Sequence, residues 1–150
     1  MDYLLDTNIM IAYLREPNLT QEYVDKNFAP LDVSNDAIIS VVTVGEIKAI
    51  ALKNGWGLKR INKIENLLRQ VTIADINSED VINRYAEIDA FSQCRLDGKT
   101  SNFTARNMGK NDLWIAATAS VLEATLLTTD NDFDHLHDEF LQVAKIDLVN

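Results

Sequence analysis

Residues 1–10 read Met-Asp-Tyr-Leu-Leu-Asp6-Thr7-Asn8-Ile-Met and decide how the rest of the sequence is interpreted. The apolar run before Asp6 has the length of a buried strand, and the residues after Asn8 continue as an apolar helix. Asp6 therefore stands at the end of a strand, where ligands bind in open α/β sheets. Asp, Thr and Asn are also good helix N-caps, so this tripeptide alone favours a cap over a ligand.

Strand-like and helix-like segments alternate along the whole sequence. Short apolar runs predict further strands, and apolar residues at three-to-four spacing predict helices between them. This alternation is typical of a parallel sheet with helices on both faces. We therefore expect residues 1–150 to form a single α/β domain, a three-layer α/β/α sandwich. The further predicted strands are 37–40, 71–73, 124–127 and 141–146; the longer predicted helices run from 43 to 53, 57–70, 79–91 and 112–123.

Composition excludes several classes of protein. The 150 residues are 47% hydrophobic and 25% charged, which is ordinary for a soluble globular domain. No apolar run approaches the ~18 residues of a membrane span, and no secretory leader is recognisable, so we expect a cytoplasmic protein. The single Cys94 cannot form an internal disulfide.

The net charge of −9 argues against a protein that coats nucleic acid through its overall positive field. It does not exclude an enzyme acting on nucleic acid, because acids gathered to hold cations would contribute to this excess. Basic residues are concentrated between positions 43 and 70. This segment fits a solvated helix face, or a surface that guides phosphates. Its basic residues are Lys48, Lys53, Lys59, Arg60, Lys63 and Arg69.

Four carboxylates occupy equivalent places in the predicted layout. Asp6 and Asp130 follow strands, Glu46 lies just after the second strand, and Asp112 opens an apolar helix. The carboxyl ends of parallel strands share one edge, so we expect these acids to lie together. Hard oxygen donors without paired Cys or His ligands suit Mg²⁺ or Mn²⁺, which can promote phosphodiester hydrolysis.

Each acid also fits a structural role. Thr43-x-x-Glu46 matches a capping box, in which the glutamate bonds back to the cap residue. Asp112 would favour the positive end of its helix, and Asp130 fits a turn. Four such roles at one sheet edge are a less economical explanation than one shared site.

The loop before Asp112 is polar and carries three bases, Lys99, Arg106 and Lys110. Their position predicts contacts with the phosphates of a nucleic-acid substrate. His135 and His137 have no further Cys or His nearby, so we expect them to be surface residues rather than zinc ligands. The sequence has no G-x-x-x-x-G-K-[ST] phosphate loop.

Four segments together resemble the PIN-domain family, nearest to the VapC-type toxins of prokaryotic toxin–antitoxin systems. They are Leu4-Leu5-Asp6-Thr7-Asn8, Ser40-Val-Val-Thr43-Val-Gly-Glu46, Asn111-Asp112-Leu-Trp-Ile-Ala-Ala-Thr118-Ala and Leu127-Thr128-Thr129-Asp130-Asn-Asp132-Phe133. The resemblance spans nearly the whole chain, in order.

This resemblance implies a sheet in the order 3-2-1-4-5 and a Mg²⁺- or Mn²⁺-dependent endoribonuclease that forms a dimer and is inhibited by a small antitoxin protein. It implies that the catalytic, metal-binding acids lie at the sheet edge and that two polar residues support them. The acids are Asp6, Glu46, Asp112 and Asp130, with Asp132 as a possible additional metal ligand; the supporting residues are Asn8 and Thr128.

Two other functions remain open from the sequence. A non-catalytic PIN-like domain could keep the fold and bind a protein partner through its surface. A phosphate-receiving signalling domain also gathers acids at a sheet edge, and Asp75 could be its acceptor. The paired acid and the lysine that such a domain needs are not well placed here.

Overall fold

The computed structural model describes residues 1–15 and 17–148. Strands and helices alternate as predicted from the sequence. In chain order the elements are β1 (Asp2–Leu5), α1 (Thr7–Leu14), α2 (Leu19–Asn27), β2 (Asp36–Ser40), α3 (Val41–Lys53), α4 (Leu58–Leu68), β3 (Thr72–Ala74), α5 (Glu79–Ser92), α6 (Lys110–Leu122), β4 (Thr125–Thr128), a 3₁₀ helix (Asn131–Leu136) and β5 (Val143–Lys145).

The five strands form one sheet in the order β3-β2-β1-β4-β5, and every neighbouring pair is parallel. The predicted fold class and strand order are both confirmed. β1 is the central strand, with Tyr3 paired to Ala37 of β2 on one side and to Thr125 of β4 on the other. The chain runs outward from β1 to β3 and then returns to β4. The direction of winding therefore reverses beside β1, where α/β sheets form a ligand crevice at the carboxyl ends of their strands.

Alternate residues of the central strands enter different cores. Leu4 of β1 packs with α5 and α6, whereas Leu5 packs with α1, α3 and α4. The period of two along a strand explains this division. Helix α6 is buried over most of its length, as its apolar sequence predicts. In the described part of the chain, no helix combines the length and the apolar character needed to cross a membrane.

Some predicted boundaries are wrong. Helix α3 begins at Val41 and not at Thr43, because the Ser40 hydroxyl caps it by accepting a hydrogen bond from the Val42 amide at 3.1 Å. The cap thus outweighs the β-branched character of Val41 and Val42, which by itself favours a strand. The last strand covers only Val143–Lys145 of the predicted 141–146.

Candidate metal centre

Asp6 and Asp130 both follow neighbouring parallel strands, β1 and β4, and both cap the helix that comes next. The Asp6 carboxylate accepts from the Thr7 amide at the start of α1, and Asp130 accepts from the Asp132 amide at the start of the 3₁₀ helix. The structural roles considered for these two acids are therefore real. Capping does not remove them from a shared site, because a carboxylate offers about four acceptor positions.

Three acids lie close enough to hold one cation. Asp112, Asp130 and Asp132 each place a carboxylate oxygen such that the three atoms lie within 4.8 Å of one another. Asp112 is in the first turn of α6, and Asp130 and Asp132 come from the loop after β4. Asp132, the additional acid of the sequence analysis, thus belongs spatially to this cluster.

Asp6 is the deepest acid, with only 3% of its surface exposed. Thr128 donates its hydroxyl to Asp6 Oδ2 at 2.7 Å, and the Thr7 amide reaches Asp6 Oδ1 at 2.8 Å. The same Thr128 hydroxyl accepts the Asp130 amide at 3.0 Å. Burial raises the pKa of Asp6, and these two hydrogen bonds oppose the rise. Thr128 therefore links the two acids, which fits the supporting role expected for it.

Glu46 is held by helix α1 and not by a capping box. Thr7 donates its hydroxyl to Glu46 Oε1 at 2.8 Å, and Thr43 lies 3.1 Å from that hydroxyl. Since Ser40 is the cap of α3, the capping-box interpretation of Thr43 and Glu46 is wrong. Thr7 and Thr43 are site residues that the sequence reasoning missed. The available signals were the position of Thr7 between Asp6 and Asn8 and the spacing of Thr43 and Glu46.

The electrostatics join all five acids into one site. The pKa of Asp112 is raised to about 7, first by loss of solvent and then by Asp6, Asp130, Asp132 and Glu46. A carboxyl that is hard to ionise beside four other acids is compensated when a cation binds among them. The donors are all oxygens, so this residue set fits a hard divalent ion such as Mg²⁺ or Mn²⁺.

The other predicted polar residues differ in their surroundings. Asn8 is exposed in the first turn of α1, and within residues 1–15 and 17–148 no hydrogen bond involves its side chain. Lys99 forms an ion pair with Glu139 at 3.2 Å and lies 4.5 Å from the ring centre of Phe140. Its ammonium group is already engaged.

Arg106 and Lys110 are exposed, and neither side chain pairs with any described acid. Lys110 begins α6, two residues before Asp112. Of the three predicted RNA contacts, these two have their charges available.

The expectation of two surface histidines holds only in part for His135, which is half-buried. Its Nε2 atom lies 2.7 Å from the hydroxyl of the fully buried Ser92, and its ring packs edge-on against Phe103. Loss of solvent, with a smaller effect from Arg106, lowers its pKa to about 4. His135 thus serves packing between the 3₁₀ helix and α5. His137 is exposed, as expected, and its Nδ1 accepts from the Val143 amide.

The family model described as "PIN domain" matches residues 3–139. No curated protein sequence matches the chain.

Three solved structures illustrate the likeness in fold. VapBC2 from Rickettsia felis, bound to a promoter DNA fragment, is 22% identical with a TM-score of 0.77, over 98% of this chain and 100% of that one. VapBC-1 from nontypeable Haemophilus influenzae is 26% identical with a TM-score of 0.74, over 97% and 98%. FitAcB from Neisseria gonorrhoeae is 25% identical with a TM-score of 0.63, over 94% and 95%.

Proposed function

The chain belongs to the PIN-domain family and is similar to VapC-type toxins, and from this premise we propose that it is a metal-dependent endoribonuclease of a type II toxin–antitoxin pair. Its substrate would be RNA, its cofactor Mg²⁺ or Mn²⁺, and its protein partners a small antitoxin and a second copy of the chain. Such an enzyme would act in the cytoplasm. The observation that carries this proposal is the cluster of Asp112, Asp130 and Asp132 at the sheet edge beside Asp6.

The acids would have different roles in metal binding, according to how exposed each carboxylate is. Asp112, Asp130 and Asp132 would provide the most accessible oxygens for a cation. Asp6 is almost fully buried and held by two hydrogen bonds, so it would be a fixed ligand rather than a mobile one. Glu46 would close the site from α3.

A bound divalent ion lowers the pKa of a coordinated water and stabilises negative charge on a phosphodiester. The chain's own residues would bind that ion, keep its ligands oriented and attract the substrate. Arg106 and Lys110 are available for phosphate contacts near the start of α6. Lys99 could contribute only by giving up its ion pair with Glu139.

The antitoxin partner is proposed from the VapBC complexes to which the chain is similar, such as VapBC-1 from nontypeable Haemophilus influenzae. Coexpression with a small protein encoded directly beside this chain's gene should yield a stable complex that lacks ribonuclease activity. An adjacent protein that fails to bind would count against the toxin–antitoxin role but not against the nuclease.

The nuclease proposal is tested with purified protein, single-stranded RNA and controlled divalent ions. Cleavage should require Mg²⁺ or Mn²⁺, stop with EDTA and return when the metal is restored in excess. Asp112→Asn should abolish cleavage, and Asp2→Asn, which removes an exposed acid at the opposite end of β1, should not. Cleavage that persists in EDTA would refute metal dependence. Metal-loaded protein that binds a partner but cuts no RNA would favour the non-catalytic interaction domain.

A further inference from the structure

Thr7 connects two acids that come from different elements. Its backbone amide donates to Asp6 Oδ1 at 2.8 Å, and its hydroxyl donates to Glu46 Oε1 at 2.8 Å. Asp6 precedes α1, whereas Glu46 lies in α3, 39 residues further along the chain than Thr7. One residue in the first turn of α1 thus orients a carboxylate on each side of it.

The direction of the hydrogen bonds around Thr7 follows from proton counting. A threonine hydroxyl has one proton and can accept from other donors. Because an ionised Glu46 can only accept, the Thr7 proton points to Glu46. The Thr43 hydroxyl, 3.1 Å away, must then donate to Thr7. Thr43 is fully buried and Thr7 nearly so, so water does not compete for these groups.

Glu46 needs such a donor because the surrounding charges oppose its position. It is only partly buried, and its long side chain would move toward solvent to escape the other acids of the cluster. The Thr7 hydroxyl is the hydrogen-bond donor to its carboxylate among the described residues. The amino-terminal end of α1 adds a favourable partial positive charge.

We infer that Thr7 is a positioning residue that holds Glu46 ready for the metal, and that Thr43 sets the direction of the Thr7 hydroxyl. This inference rests on the proposed function. Outer residues that orient metal ligands in this way typically change metal affinity by roughly 10- to 100-fold when they are removed.

A matched set of variants tests the inference through Mn²⁺ affinity, measured by isothermal titration calorimetry without RNA. Thr7→Val keeps the shape of the side chain and removes the hydroxyl, and we expect Mn²⁺ affinity to fall by about tenfold or more. Thr7→Ser restores the hydroxyl and should stay within about twofold of the wild type. Thr43→Val should have an intermediate effect, since the Thr7 hydroxyl then lacks its directing donor.

Thr118→Val is the control for the loss of a buried threonine hydroxyl. The Thr118 hydroxyl is also buried, but it donates to the Trp114 carbonyl within α6 at 2.7 Å. This variant should lower the melting temperature without weakening Mn²⁺ binding. Equal losses of affinity in Thr118→Val and Thr7→Val would indicate a general effect of destabilisation and overturn the inference.

The outcomes separate this inference from the proposed function. Wild-type protein that binds Mn²⁺ and cleaves RNA, together with Thr7→Val of unchanged Mn²⁺ affinity, would overturn the role of Thr7 and leave the nuclease in place. Wild-type protein that binds no Mn²⁺ would overturn both. If Thr7→Val does not fold, Thr43→Val decides, because unchanged Mn²⁺ affinity in that folded variant contradicts the relay from Thr43 to Glu46.

Discussion

Replacing Asp112 with asparagine should stabilise the metal-free protein while removing its activity. The pKa of Asp112 rises from an ordinary 3.8 to about 7 in the folded chain, because burial and four neighbouring acids disfavour its charge. No hydrogen bond from the described residues reaches this carboxylate, so the amide sacrifices no partner. Asp112→Asn therefore removes an unfavourable charge at little structural cost.

The magnitude follows from the shift in pKa. One unit corresponds to about 1.4 kcal/mol, so the full rise would correspond to roughly 4 kcal/mol. Water reaches the half-buried carboxyl and screens its charge. We therefore expect Asp112→Asn to raise the free energy of unfolding by about 2 kcal/mol.

The direction of the Asp112 pKa shift determines how stability depends on pH. The folded state binds the proton of Asp112 more tightly than the unfolded state, so the wild type loses stability as pH rises from about 4 to 7. The stabilisation by Asp112→Asn should be near its full value at pH 8 and below about 1 kcal/mol at pH 5.

Denaturant unfolding in the presence of EDTA, at pH 5 and pH 8, measures this difference. Asp2→Asn controls for the loss of one charge from the chain, and should show no such gain in stability.

Asp6→Asn should gain less stability than Asp112→Asn, because both Asp6 oxygens accept hydrogen bonds and an amide offers one acceptor oxygen. With saturating Mn²⁺ the order should reverse, since ligand binding stabilises the wild type. Equal stability of wild type and Asp112→Asn at pH 8, or a gap that does not shrink at pH 5, would refute the electrostatic reasoning.

Three further predictions concern other parts of the molecule. Arg106→Glu and Lys110→Glu should weaken RNA binding and flatten its dependence on salt, which fluorescence anisotropy at several salt concentrations would measure; an unchanged slope would contradict phosphate contact. Ser40→Ala should lower the free energy of unfolding by about 1 kcal/mol and leave Mn²⁺ affinity intact. Glu46→Gln should instead lower Mn²⁺ affinity and leave the free energy of unfolding unchanged, as denaturation and calorimetry on both variants would show. The imidazole of His135 should titrate near pH 4 in NMR spectra, so its contribution to stability falls as pH drops from about 6.5 toward 4; a midpoint above 6 would contradict its burial.

The stabilities of the wild type and Asp112→Asn should be compared at the same pH, because His135 also makes stability depend on pH. His135 destabilises the folded state as pH falls, whereas the charge on Asp112 destabilises it as pH rises. Both effects act between pH 4 and 7, so the stability of the wild type alone cannot isolate either. The difference between the two proteins cancels the contribution of His135.

The sequence by itself determined the alternation of strands and helices, because burial imposes its own period on each type of element. It also determined that Asp6 and Asp130 follow strands, and that Asp112 opens a buried helix. Parallel strands bring such positions to one edge, so the meeting of these acids could be expected without coordinates. Their service as metal ligands stays a prediction.

Tertiary structure decided the contacts that join distant parts of the chain. The Thr7 hydroxyl meets Thr43 and Glu46 only because α1 and α3 pack side by side, and His135 finds Ser92 across 43 residues. The sequence predicted that Lys99, in a polar loop, would contact phosphates, but the fold pairs its ammonium group with Glu139. Local sequence patterns specify where an element begins and which face is apolar. The side chain opposite a given hydroxyl, imidazole or ammonium depends on helix packing and rotamers, which local patterns do not encode.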